Sequence, residues 1–105
     1  MSIELYCKFL DNEWYKNNIN TIVDILTKLP SYIKKVDSDQ YWFKAAESEN
    51  SWQYDVRIFL REQDILFEVA IFNITFHKDV KAFMVRLSQF TEIKMTDADG
   101  ENFSF

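Results

Sequence analysis

The residue types that most often carry chemistry or bend a chain are nearly missing from these 105 residues: one Cys, one His, one Gly and one Pro. A lone Cys7 cannot form an intramolecular disulfide, which fits a reducing compartment. With His77 the only histidine, the usual His/Cys zinc sets are excluded. A single glycine, Gly100, excludes phosphate-cradling loops, which need several, and neither a Walker nor a dinucleotide pattern is present. Loops should be short and polar, with no flexible linker. No apolar run approaches the roughly 18 residues of a membrane span. The opening MSIELYCKFL lacks the basic-then-apolar order of a signal peptide. These absences predict a cytoplasmic chain with no metal and no cofactor.

Core material, by contrast, is plentiful. Hydrophobic residues make up 48% of the chain and ten residues are Phe. That suffices for one globular domain over 1–105, with roughly two-thirds of the unfolded surface buried. The net charge is −5 and is unevenly spread. Residues 37–68 hold eight acids against Lys44, Arg57 and Arg61, whereas residues 69–91 hold Asp79 against Lys78, Lys81 and Arg86. Net acidity argues against nucleic acid as a direct ligand, because phosphate neutralisation needs clustered Lys and Arg. It favours a cationic partner.

Periodicity predicts the elements. Ile3, Leu5, Cys7 and Phe9 alternate with polar residues and mark a half-buried strand. Asp11 or Asn12 can cap a helix over 13–29, whose apolar face is Tyr15, Ile19, Ile22, Val23, Leu26 and Leu29 and which Pro30 ends. SYIKKV is a short strand or an extended connection, and 40–46 forms a strand. The run 52–60 alternates cleanly and pairs with 65–71 as a hairpin; Trp52 and Tyr54 share the face of Val56 and Ile58. A second helix carries Val80, Phe83, Met84, Leu87 and Phe90 on one face. Short strands at 92–96 and 102–105 flank the turn DADG, where Gly100 can take positive φ. Single apolar stripes on both helices imply an α+β, two-layer fold: a mostly antiparallel sheet of four to six strands with two helices packed on one face. The sheet's outer face or rim is then expected to be the negative side.

Catalytic chemistry is sparse. Cys7 lies among core positions and reads as an inert thiol, and no local feature pairs it with His77. TDADGEN has its glycine too early for a calcium loop and reads as a hairpin turn. Turn acids are ordinarily just solvated, and a glycosidase needs a larger framework to hold a sugar. The chain is therefore expected not to be an enzyme. The passage 37–55 sets Asp37, Asp39, Glu47, Glu49 and Asp55 among Tyr41, Trp42 and Phe43. Either Trp42 or the Tyr41/Phe43 pair must face away from the core, to be covered by SYIKKV or by Phe103 and Phe105, or to serve as an interface anchor beside these rim charges. The candidate partner-binding residues are these five acids with Tyr41 or Trp42 as anchor, and Asp97, Asp99 and Glu101 form a second candidate patch.

In size, acidity and architecture class the whole chain resembles the small immunity proteins of bacterial toxin–immunity systems, including contact-dependent growth inhibition. The resemblance implies a cognate cationic toxin, often a nuclease, whose substrate-binding surface the acidic face would cover. A phage-type inhibitor of a host nucleic-acid enzyme would use the same physics. A small-molecule-binding domain or minor enzyme would instead need a pocket near His77. Free in solution the chain is expected to be a monomer or a homodimer paired through an uncovered edge strand.

Overall fold

A computed structural model describes residues 3–44, 53–70 and 74–102. The fold is α+β, as the periodicities predict. In chain order the elements are β1 (Ile3–Phe9), α1 (Asn12–Asn17), α2 (Ile19–Thr27), β2 (Tyr32–Val36), β3 (Gln40–Phe43), β4 (Val56–Leu60), β5 (Asp64–Val69), α3 (Ile74–Ser88) and β6 (Ile93–Asp97). The strands form one six-stranded sheet in the order β2-β3-β4-β5-β1-β6, and every paired neighbour is antiparallel. No helix among the described residues is long and apolar enough to cross a membrane.

Alternation along each strand sorts its side chains between two faces. One face carries Leu5, Cys7, Tyr41, Phe43, Val56, Ile58, Ile65, Phe67 and Met95, and packs against Tyr15, Ile22, Leu26, Phe76, Phe83 and Leu87 of the three helices in a single core. The Phe67 and Phe83 rings meet at 6.1 Å. The opposite face carries Glu4, Tyr6 and Lys8 of β1, Lys34 of β2, Trp42 of β3, Arg57 and Phe59 of β4, Leu66 and Glu68 of β5, and Lys94 of β6.

The single helix expected over 13–29 is two helices. Asn18 interrupts it at φ −124° and ψ 26°, its Nδ2 donating to the Trp14 carbonyl at 2.8 Å. An amide side chain that bonds local backbone competes with the helical ladder. Asp11 caps α1 as expected, accepting from Trp14 N–H at 3.1 Å. Gly100 has φ 83°, and Asp37 takes φ 61° in the turn between β2 and β3, where an Asp tolerates the left-handed region.

Two expectations for the hairpin need correction. β4 begins at Val56, because the chain bends at Asp55. The bend turns Tyr54 out of the core row and onto Trp42 of the opposite face, at 4.9 Å between ring centroids. Trp52 and residues 45–51, with the turn expected there, lie outside the described residues, as do 71–73 and 103–105.

Candidate functional site

The helix-free face of the sheet is not the acidic one. Of its three strand acids, Glu68 and Asp64 are committed to structure and Glu4 is exposed. Glu68 pairs with Arg57 across β4 and β5, and Asp64 takes a two-pronged contact from Arg61 at 2.7 and 3.0 Å. That bond holds the Arg61 guanidinium above its ordinary range, chiefly through the Asp64 carboxylate. Arg61 also lies 5.4 Å from the centroid of the Tyr6 ring. Lys8, Lys34 and Lys94 occupy the same face.

The candidate residues fall in several places. Asp37 and Asp39 are exposed on the β2–β3 turn. Tyr41 and Asp55 are corrected: each is 1% exposed, so neither can touch a partner. Tyr41 belongs to the helix-facing row of β3, and Asp55 turns inward at the bend, its N–H donating to Phe43 O and its carbonyl accepting from Ala70 N–H. Trp42 does face away from the core, but it is half-buried and already occupied. Its Nε1 donates to Gln40 Oε1 at 2.6 Å, Lys34 Nζ sits 4.8 Å from the ring centroid, and the Tyr54 ring lies against it tilted by 53°. Among the described residues, the charged groups registered beside it are the cations Lys34 and Arg57. Asp97, Asp99 and Glu101 share one turn, in which Asp97 Oδ1 accepts from the N–H groups of Asp99 and Glu101 at 2.9 and 3.0 Å. Glu47 and Glu49 lie outside the described residues.

The topology assembles a different acidic surface. Strand register places the β2–β3 turn, the β4–β5 turn, the β1–α1 junction and the α3–β6 junction at the same end of the sheet. Backbone bonds tie them together: Leu60 N–H to Asp39 O at 2.9 Å, and Leu10 N–H to Glu92 O at 3.2 Å. This end presents Asp37, Asp39, Glu62, Asp11, Glu13 and Glu92, all exposed. None of the six is in an ion pair among the described residues. Six strands at the usual spacing of about 4.8 Å make the row about 24 Å long. The Asp97–Glu101 turn sits at the opposite end of β6.

Tyr15 fixes the two halves of this row against each other. From α1 its hydroxyl donates to Arg61 O at 2.6 Å and Asp64 O at 3.0 Å, on the turn that carries Glu62. Burial, and secondarily the Asp64 charge, raise the Tyr15 pKa, so the hydroxyl keeps its proton.

Nucleophile chemistry has no support in the described residues. Cys7 is fully buried, and burial followed by the Asp64 charge pushes its pKa up to about 12, the wrong direction for a reactive thiolate. No group of His, Cys, Asp and Glu among the described residues could hold a metal ion. His77 is half-buried in the first turn of α3. Three surface concavities among the described residues, of about 340, 310 and 190 Å3, are lined by residues other than His77. Comparisons of the chain with protein-family models, curated proteins and solved structures find no match.

Proposed function

We propose that the protein is an inhibitor of the immunity type, acting in the cytoplasm, which sets its acidic sheet end against the basic substrate-binding surface of a cognate toxin, a nuclease. One observation carries this reading: six exposed carboxylates, from four connections distant in sequence, stand at one end of the sheet without cationic partners among the described residues. A basic groove built for phosphates is offered a row of fixed negative charges instead. Such a field steers association, raising on-rates by about 10- to 1,000-fold, and fades with salt. The action is occupancy, with no reaction carried out by this chain.

The test starts by capturing the partner from source cells on the immobilised protein at low salt and identifying it. Association rates are then measured across a salt series for the native chain, for D37K/D39K/E62K, and for D99K/E101K at the far end. The first variant should associate at least tenfold more slowly at low salt, the second at the native rate, and the partner's nucleic-acid cleavage should stop at one equivalent of native protein. Rates insensitive to both salt and the triple reversal would overturn the proposal. A captured nucleic-acid enzyme of the host, in place of a toxin, would favour the phage-inhibitor alternative.

A further inference from the structure

We infer that the partner is anchored at the β1–α1 end of this row, by an apolar side chain set among Lys or Arg residues that docks on a patch formed by Leu10, Trp14 and Phe90. It rests on the docking function just proposed and names the place and chemistry of the contact. Leu10 is 66% exposed and Phe90 51%, among the largest exposures of any big apolar side chain described. The Phe90 and Trp14 rings stack at 5.8 Å, and Trp14 in turn stacks on core Phe9 at 6.2 Å, so the patch is backed by rigid structure. Leu10 joins the same surface through its backbone bond to Glu92. Asp11, Glu13 and Glu92, all exposed, adjoin it along the chain or through the Leu10–Glu92 backbone bond, and the paired Lys8 and Lys94 lie next to it on β1 and β6.

The charges decide the occupant. With three acids against two lysines, a second copy docked by a twofold axis would face a surface of its own net sign, and an anionic lipid surface would be repelled. A basic segment with an apolar side chain satisfies ring and carboxylate together. It is the acid-beside-aromatic arrangement expected around Trp42, built from other residues.

The experiment is a titration of the isotopically labelled full chain, followed by amide NMR. The probes are a helical Leu/Lys peptide with leucines at three- and four-residue spacing, its Ser/Lys counterpart and its Leu/Glu counterpart. The Leu/Lys peptide should shift the amides of Leu10, Trp14, Phe90 and Glu92. Phe90→Ser and, separately, Leu10→Ser should weaken it about thirtyfold, the loss typical of a truncated interface anchor, with unchanged circular dichroism. If Ser/Lys binds equally well with shifts confined to Asp37, Asp39 and Glu62, the anchor is overturned and the acidic row stands. Shifts only at Asp99–Glu101 overturn both. Equal binding of Leu/Glu at the patch, or concentration-dependent patch shifts without peptide, overturns the basic occupant.

Discussion

Removing the Asp79 carboxylate should be among the most damaging single changes in this chain, although the residue touches no candidate surface. Asp79 is 7% exposed on the core side of α3. Its Oδ2 accepts from Ser31 N–H at 3.0 Å and closely from Ser31 Oγ. Ser31 follows Pro30, is 4% exposed, and passes its own carbonyl to Lys44 N–H at 2.8 Å. The carboxylate thus secures the point where the chain leaves α2 and enters edge strand β2. Asp79→Ala orphans a buried N–H and a buried hydroxyl, at about 1–3 kcal/mol each, partly offset by no longer burying a charge. A net loss of about 3 kcal/mol is expected, against a total stability of about 5–15 kcal/mol for a domain of this size. Asp79→Asn retains an acceptor and should lose about half as much. Urea unfolding of the single variants and of S31A/D79A measures the coupling. Ser31→Ala should cost about 1–2 kcal/mol in the native background. In the Asp79→Ala background it should cost nothing, because the hydroxyl it removes is already orphaned. Equal cost of Ser31→Ala in both backgrounds would refute the bond and the reasoning with it.

Two further outcomes are expected. Tyr15→Phe removes one proton shared between two carbonyls, and Asp64 O keeps its bond from Arg61 N–H at 2.9 Å. The loss should therefore be only about 1 kcal/mol in urea unfolding, with line broadening of the Glu62 and Glu13 amides marking a loosened acidic end. Cys7 supplies a pH dependence. Its folded pKa of about 12 lies above the usual 9.0, so its stabilising effect is complete below pH 9 and is lost as pH rises through the folded value. Between pH 9 and 10 the native chain should lose up to about 1.4 kcal/mol from this group, and Cys7→Ala should lose correspondingly less over the same interval. Identical slopes for the two chains would show that the thiol does not resist ionisation.

What the sequence made legible were the features written in local period or local chemistry. Ile3–Phe9 alternates, so β1 is read directly; Val80, Phe83 and Leu87 recur helically, so α3 is read; Gly100 marks its turn. What stayed hidden depends on contacts the period does not encode. The break at Asn18 is a side chain competing with its own helix. Tyr54 leaves the core row because Asp55 bends the chain, and no alternation pattern announces a bend. The full acidic end is invisible to segment counting, since half of it joins the row only because β1 lies between β5 and β6. That insertion brings Asp11 and Glu13 beside Glu62, and Glu92 beside Leu10.

The same topology explains why charge per segment misjudged charge per surface. Two acids inside strands meet cations, Glu68 meeting Arg57 on the neighbouring strand and Asp64 meeting Arg61 on the adjoining turn. Their charge is spent on holding the sheet. Acids in turns have no cross-strand neighbour and stay available. Contact residues carried by turns on a fixed frame can also change without disturbing the core, because surface substitutions of this kind usually alter stability by no more than about 0.5 kcal/mol. The inhibitor proposed above would use that separation: a frame of buried rings and ion pairs, and a docking end whose acids are in no ion pair among the described residues.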